Sequence, residues 1–206
     1  MLAFVFLPLH LFAQGVDNGG QSGRRPLLPR HEEIALARSA APSAVSDSAT
    51  IYVLTDSAYV VAVQGSSGAA CYVSRDWIAS IEPHCFDPEG AQTILPMQMH
   101  RVELLHRGRS KVEADRAIAD GIASGRFRLP RRPAVSYMMS AEQRLIAPNG
   151  SPAGAWRPHL MIYYPYLSAS DIGLSGGGDA TLSVVDPGLP VANMTVVTRE
   201  FVAVRR

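Results

Sequence analysis

The sequence predicts an α+β fold in which a mostly antiparallel sheet of about six short strands is covered on one face by a central pair of helices. Three observations lead to this prediction: runs of β-branched and aromatic residues in the first third of the chain, two capped helical stretches in the middle, and further strand-like runs after them. Strands, then helices, then strands again are typical of α+β domains.

The first elements are a short helix and three strands. Residues 31–41 have helical composition with acidic residues in the first turn, but only Ile34 and Leu36 are large and apolar, so this helix is expected to pack lightly. The runs 50–54, 59–63 and 71–74 are rich in strand-forming residues and are separated by turn-forming ones, which predicts an antiparallel meander.

The segment 81–88 contains prolines near both ends and is predicted to be an irregular connection. A helix then begins with Asp87 as N-cap and Pro88 at its first position, and it runs toward Arg107 with a kink or restart at Pro96.

A second helix opens at the capping box formed by Ser110 and Glu113, and Gly125 stands where a helix-ending glycine is expected. One face of it is made of small and apolar residues: Ala114, Ala117, Ile118, Gly121 and Ile122. Such a face predicts close packing on a partner helix or sheet.

Strand-like runs resume at 134–139, 159–164, 181–185 and 191–198. The run 159–164 is the most apolar, which predicts a central strand. The last two runs are joined through Asp-Pro-Gly, a turn tripeptide.

The N-terminus predicts export. Residues 2–13 form an uncharged apolar block, too short to span a bilayer, and it ends Leu-Phe-Ala, so residues 1–13 are interpreted as a signal peptide. The block departs from the usual pattern because no Lys or Arg precedes it. Residues 14–30 are predicted to be a flexible linker and residues 31–206 a single domain. We therefore expect a secreted or periplasmic protein without a transmembrane segment once the leader is removed.

Composition excludes some function classes. The net charge of +1 argues against a nucleic-acid partner. Lys111 is the only lysine among the 19 basic residues, and this arginine bias indicates a GC-rich, bacterial genome.

The chain has two cysteines, Cys71 and Cys85. In an oxidising compartment such a pair is usually a disulfide, which is the first interpretation here. Two buried thiols, or one reactive nucleophile, are the alternatives.

The pattern His100-x-x-Glu103-x-x-His106 invites a metal interpretation, but on a helix the two imidazoles lie about 120° apart around the axis. His106 falls on the apolar stripe and His100 points away, so we expect a buried His106, a solvated His100 and no metal site.

A small-molecule pocket, if there is one, is expected where the apolar strand 159–164 begins. Trp156, Arg157 and His159 bring an aromatic ring, a cation and an imidazole together there, and Tyr164 follows downstream. The competing interpretation is structural: a Trp folded over the sheet edge with Arg stacked on it, and tyrosines divided between core and rim.

No catalytic signature surrounds either cysteine, and the G-x-S-x-G, H-E-x-x-H, C-x-x-C and G-x-G-x-x-G motifs are absent from the sequence. The sequence therefore predicts an exported, non-enzymatic domain without cofactor, whose partner is a small molecule or an envelope protein. The alternative is a secreted hydrolase with a Cys/His-centred site.

Overall fold

A computed structural model of the protein describes residues 24–76, 80–147, 149–175, 178 and 181–205. The predicted signal peptide and residues 14–23 of the predicted linker lie outside the described residues, so the processing of the N-terminus and the domain boundaries stay predictions.

Eight strands form one sheet in the order β2-β1-β3-β4-β5-β8-β10-β9, and all neighbouring pairs except β1–β3 are antiparallel. The strands are β1 (Thr50–Leu54), β2 (Tyr59–Val63), β3 (Ala70–Ser74), β4 (Glu82–Phe86), β5 (Ala134–Met138), β8 (His159–Tyr163), β9 (Leu182–Val185) and β10 (Asn193–Val197). A separate two-stranded sheet pairs β6 (Leu145–Ile146) with β7 (Pro152–Gly154). The predicted α+β class and mostly antiparallel sheet are confirmed, but the main sheet has eight strands rather than about six.

The prediction of a meander for the first three strands is wrong. β1 and β2 form an antiparallel hairpin. The chain then crosses close to the start of β1, and β3 pairs with β1 in parallel. This return needs Gly65, because a Cβ there would lie 2.3 Å from the backbone of Ala49 and Thr50. The Gly65 N–H donates to Thr50 Oγ1 and completes the crossing.

Strand β4 replaces the irregular connection predicted for 81–88. The Ile81 N–H donates to the Arg144 carbonyl, on the side of β4 that faces away from β3. Every second residue of a strand directs its N–H to the same side, so an N–H at position 83, which Pro83 lacks, would also face away from β3. The paired residues of β5 reach only Cys85 and Phe86, so this proline removes no bond from the β4–β5 ladder. All five residues of β4 are buried.

Helices cover both faces of the sheet. The helix α1 (Arg30–Arg38) packs on β1, β3 and β4 on one face, and a one-turn helix α2 (Ser43–Ser46) follows it. The helices α3 (Pro88–His106) and α4 (Lys111–Ala123) pack against each other, and α3 lies on β3, β4 and β5 on the opposite face. The prediction that one face is covered is thus incomplete, since two hydrophobic clusters flank the sheet.

The helix α1 packs more tightly than its few apolar residues suggest. It buries Leu36, Ala37 and also Glu33, whose carboxylate is fully enclosed. A buried carboxylate requires a cationic partner, which is Arg75 just after β3.

The predicted helix pair is confirmed. Asp87 caps α3 by accepting from the Gly90 N–H, and α3 continues through Pro96 without a second start. Both bonds of the capping box between Ser110 and Glu113 are present at the start of α4. Within the described residues, neither helix nor any other is long and apolar enough to cross a membrane.

The two ends of the sheet carry different segments of the chain. The first end carries the start of α3, the turn after β8 and the turn between β9 and β10. The second end carries the turn between β1 and β2, the end of α3 and the segment that enters β8.

The run 159–164, predicted to be a central strand, forms β8, which is an interior strand but lies sixth of eight. The two central strands of the sheet are β4 and β5.

Residues 24–29, the end of the predicted linker, lie against the second end of the sheet. The Arg25 backbone N–H donates to His106 Nδ1 (3.0 Å), and its guanidinium donates to the Asp76 carbonyl (3.1 Å). Arg75 Nε donates to the Pro26 carbonyl (2.7 Å). Arg25 is only 4% exposed, and these hydrogen bonds hold the short stretch 24–29 to the rest of the protein.

Candidate functional site

Three of the four residues predicted to line a pocket lie together at the second end of the sheet. The Trp156 and His159 rings meet edge to face with centroids 6.3 Å apart, and His159 Nδ1 lies 2.7 Å from the Arg157 carbonyl. A carbonyl only accepts, so Nδ1 carries the proton. Burial lowers the pKa of His159 and keeps the ring neutral.

Tyr164 is not part of this group. It follows the last residue of β8, whereas His159 is the first, and five residue steps along the strand separate the two by about 16 Å. Trp156 is half-exposed, and its carbonyl accepts from Gln143 Nε2 (2.9 Å). The two cavities described below are lined by other residues.

Cys71 and Cys85 form the predicted disulfide. They stand directly opposite each other on β3 and β4, and both are fully buried on the α1 side of the sheet. Both cysteines of the chain are used in this bond, so the structure contains no free thiol.

The histidines of α3 do not converge. His106 is buried and its Nδ1 accepts from the Arg25 N–H, while the His100 ring packs against Phe127. His100 is paired loosely with Glu103 (3.9 Å). Among the residues that the structure describes, no three His, Cys, Asp or Glu side chains are grouped so that they could hold a metal ion.

A neutral polar network lies between α3 and the sheet. Gln98 of α3 bridges two tyrosine hydroxyls: its Oε1 accepts from Tyr72 (2.7 Å) and its Nε2 donates to Tyr163 (3.1 Å). His84 lies in the same layer, with its Nδ1 3.3 Å from Ser136 Oγ. Burial lowers the pKa of His84 to about 3, so its imidazole is neutral at ordinary pH. These satisfied groups give the core a specific polar pattern.

A charged cluster lies below this network at the second end of the sheet. Burial, with a contribution from Asp76, raises the pKa of Glu82 to about 7, while Ser80, Arg101 and Arg25 act in the opposite direction. Arg101 forms ion pairs with Asp76 and Asp115. The Nε and Nη1 atoms of Arg25 and the Oε1 atom of Glu82 are buried without hydrogen-bond partners. Titratable groups with shifted pKa values often mark functional sites, but no residue of this cluster lines either of the two cavities described below.

A groove of about 700 Å³ lies between α1 and the C-terminal segment. We call it the α1 groove; its lining residues are His31, Glu32, Ile34, Ala35, Leu36, Arg38, Glu142, Val204 and Arg205. Small-molecule sites typically occupy about 300–1,000 Å³ and combine apolar lining residues with a few polar groups. The α1 groove falls in this size range and is lined by both kinds of residue.

Two arginines give the α1 groove its cationic side. Arg205 is held in place by an ion pair with Asp47 and by a contact with Ser46, so its guanidinium is anchored. The Nε atom of Arg38 is buried and has no hydrogen-bond partner. An unsatisfied buried donor of this kind is costly unless another group supplies an acceptor.

A second cavity, of about 110 Å³, lies where the chain enters β5 and is lined in part by Glu89, Arg128 and Arg131. Glu89 already accepts from the Arg131 N–H and Arg132 Nε, and these bonds lower its pKa. The cavity is smaller than typical ligand sites, and its carboxylate is already engaged.

Sequence reasoning did not find the α1 groove. Its walls come from residues 31–38, Glu142 and residues 204–205, which are brought together by the bridge between Ser140 and Val202. No local motif encodes such a contact between distant segments. The one local signal is the mixture of charged and apolar residues in α1, and that mixture predicts only a lightly packed helix.

Comparisons of the chain with models of protein families, with curated proteins and with solved structures found no significant match.

Proposed function

We propose that this protein is an exported, non-enzymatic domain of the cell envelope, secreted or periplasmic, that binds a small ligand in the α1 groove. The observation that carries the proposal is the groove itself, since its volume and its mixed lining of apolar and charged residues match those of small-molecule sites. The anchored Arg205 and the unpartnered Nε of Arg38 favour a ligand that presents an acceptor group.

Export is supported by the disulfide. Cross-links of this kind persist in oxidising compartments and are rare in the cytosol of most organisms. A disulfide buried between β3 and β4, together with the apolar N-terminal block, agrees with export through a cleaved signal peptide.

The alternative, a hydrolase with a Cys/His-centred site, has less support. A thiolate nucleophile must be free, and both cysteines of the chain are joined in the buried disulfide. A site centred on His159 alone would need a nucleophile beside it, and the described contacts of its ring are with Trp156 and the Arg157 carbonyl.

Ligand binding is tested by recording backbone amide NMR spectra of the mature protein during a screen of small carboxylates, amines and neutral amphiphiles. We expect chemical-shift changes at Ala35, Arg38 and Val204. Ala35→Phe should abolish them by filling the groove, whereas Val112→Phe on the exposed side of α4 should leave them intact. Changes centred on Trp156 and His159, or none with any compound, would contradict the proposal.

Export is tested separately by expressing the full chain in a bacterium and sequencing the N-terminus of the protein in the periplasmic fraction. The expected mature N-terminus is Gln14, immediately after Ala13. Recovery of the intact chain from the cytosol with Met1 still present would overturn this part of the proposal.

A further inference from the structure

The segment between α4 and β5 carries a concentration of positive charge. Four of the seven residues from 126 to 132 are arginines, and all four are exposed: Arg126, Arg128, Arg131 and Arg132. The chain as a whole has a net charge of only +1, so this excess is local. A local excess of cations on a protein surface attracts anionic groups.

The segment is held in place by the residues between its arginines. Phe127 and Pro130 are buried, and Leu129 packs against the cluster between α3 and the sheet. The Phe127 N–H donates to the Gly121 carbonyl (2.9 Å), and a Cβ at Gly121 would lie 2.4 Å from the Phe127 ring. Because the segment is anchored before any ligand arrives, little conformational freedom is left to lose on binding.

Three of the arginines lie around one carboxylate, that of Glu89. Its Oε1 accepts from the Arg131 backbone N–H and its Oε2 accepts from Arg132 Nε, both at 3.0 Å. These bonds lower the pKa of Glu89, and the nearby charge of Arg128 adds to the effect. Among the residues that the structure describes, the guanidinium groups of Arg128 and Arg131 have no ion-pair partner. One carboxylate therefore lies among three arginines, and two positive charges stay unpaired.

Both unpaired arginines line the same cavity, the one of about 110 Å³ next to α3, and Gln92 lines it with them. The two guanidiniums and the Gln92 carboxamide all have N–H groups to donate. The two carboxylate oxygens of Glu89 already accept hydrogen bonds, and the Thr93 hydroxyl donates to the Glu89 carbonyl. The groups left for a ligand are thus mainly donors, which favours an anion with several acceptor atoms.

The size of the cavity limits the anion to a single small group. A water molecule in the liquid takes up about 30 Å³, so a cavity of about 110 Å³ has room for a group of only a few heavy atoms. A carboxylate offers two oxygens in one plane. A tetrahedral oxyanion directs its oxygens outward in several directions, so it can accept from Arg128, Arg131 and Gln92 at the same time.

We propose that this cavity, which we call the arginine cavity, binds a phosphate group, either as the free ion or as the monoester of a larger molecule. Two unpaired guanidiniums match the charge of a phosphate dianion, and the carboxamide supplies a third donor. The arginine cavity lies on the α3 side of the sheet and the α1 groove on the opposite side, so this is a second site beyond the proposed function.

The test is isothermal titration calorimetry of the purified protein at constant ionic strength, with inorganic phosphate and glycerol 3-phosphate as probes and acetate as the planar anion. We expect saturable binding of phosphate with a Kd of about 1 mM or lower, and binding of acetate that is about tenfold weaker or less. Co-sedimentation with vesicles distinguishes the sources of the group. Retention on phosphatidic acid vesicles, but not on phosphatidylcholine vesicles, would identify a lipid headgroup, whereas binding of the soluble probes alone would identify a free phosphate compound.

Two variants locate the site. Arg128→Gln and Arg131→Gln should each weaken phosphate binding about tenfold or more, because each removes a charged donor. Both side chains are exposed, and the Arg131 backbone bond to Glu89 stays, so the melting temperature without phosphate should not change.

The matched control is Arg199→Gln, which removes the same charge from an exposed position just after β10, at the second end of the sheet. It should weaken phosphate binding by less than about twofold, since distant surface charges are screened by salt. Ala35→Phe in the α1 groove should leave phosphate binding unchanged, so the two sites can fail independently. Absence of saturable binding for both phosphates, equal binding of acetate, or an equal loss in Arg199→Gln would overturn the inference.

Discussion

Glu33 and Arg75 form a bidentate ion pair in which neither side chain is exposed: Nη1 lies 2.9 Å from Oε1 and Nη2 lies 2.9 Å from Oε2. The same Oε1 accepts from the Leu54 N–H, and Arg75 also donates to the Val73 and Pro26 carbonyls. The pair therefore joins α1, the ends of β1 and β3, and the N-terminal segment at one buried point.

Removing one partner of this pair should be far more costly than removing both. Glu33→Gln leaves the Arg75 charge buried without compensation, so the free energy of unfolding should fall by about 3–5 kcal/mol, measured by urea denaturation. The double variant Glu33→Leu, Arg75→Met should lose less than the single one. Glu32→Gln, on the exposed side of the same helix, is the matched control and should change stability by less than about 0.5 kcal/mol. Equal effects of Glu33→Gln and Glu32→Gln would contradict the role given to the pair.

The disulfide gives a second prediction. Cys71 and Cys85 are 14 residues apart, and closing a loop of this size contributes about 3 kcal/mol through the entropy of the unfolded chain. The double variant Cys71→Ala, Cys85→Ala should lose roughly that amount.

The chemical state of the sulfurs checks the same prediction. The native protein should not react with iodoacetamide, and the reduced and denatured protein should take up two equivalents. Stoichiometric labelling of one native cysteine would contradict the disulfide and revive the thiol-hydrolase alternative.

The sequence predicted the elements whose signals are local. The caps of α3 and α4 are encoded within four residues at Asp87 and at Ser110, and they are confirmed. The disulfide followed from the number of cysteines and the predicted export. Each of these inferences depends on residues close in sequence or on a simple count.

The parts that were missed depend on distant contacts. Strand β4 contains Pro83, which normally argues against an interior strand, and only the short reach of β5 makes it acceptable. The parallel pairing of β1 with β3 depends on the close crossing at Gly65. The α1 groove needs Glu142 and Arg205 to approach a helix more than 100 residues away, and nothing in the local pattern specifies that.

Glu82 should make stability depend on pH. Burial raises its folded-state pKa to about 7, above the usual 4.5 of the free side chain. The folded state therefore binds the proton more tightly than the unfolded state, and this contribution to stability is complete below about pH 4.5 and is lost as the pH rises toward 7.

The measurement is the free energy of unfolding from pH 5 to 8 for the wild type and Glu82→Gln. Glutamine is neutral at every pH. The free energy of unfolding of Glu82→Gln, relative to that of the wild type, should therefore rise by a few kcal/mol between pH 5 and 7.5. The comparison is needed because His84, whose pKa is lowered, contributes with the opposite sign as the pH falls below 6.5. A difference between the two proteins that does not change with pH would contradict the assignment.

The packing face of α4 is tested by Ile118→Asp. Ile118 packs against the cluster between α3 and the sheet, together with Ile122 and the buried Ala114 and Gly121. A carboxylate there has no cationic partner in the apolar cluster, so the free energy of unfolding should fall by about 3 kcal/mol in a urea titration. Val112→Asp in the exposed first turn of the same helix should change it by less than about 0.5 kcal/mol. An unchanged melting temperature for Ile118→Asp would mean that the face is misassigned.

Limited trypsin digestion tests how the N-terminal segment is held. Arg24 is exposed, whereas Arg25 is buried and precedes a proline, which trypsin does not accept, and Arg30 lies in α1 with its guanidinium on the Ala62 carbonyl. We expect the first cut after Arg24, giving a resistant body that begins at Arg25 in the mass spectrum, because exposed tips outside the ordered contacts are cleaved first. In Arg25→Ala the contact with Asp76 is lost, so cleavage after Arg30 should become faster relative to the wild type. Early cleavage of the wild type after Arg30, or at Arg116 in α4, would show that the contacts of Arg25 and Pro26 do not anchor this segment.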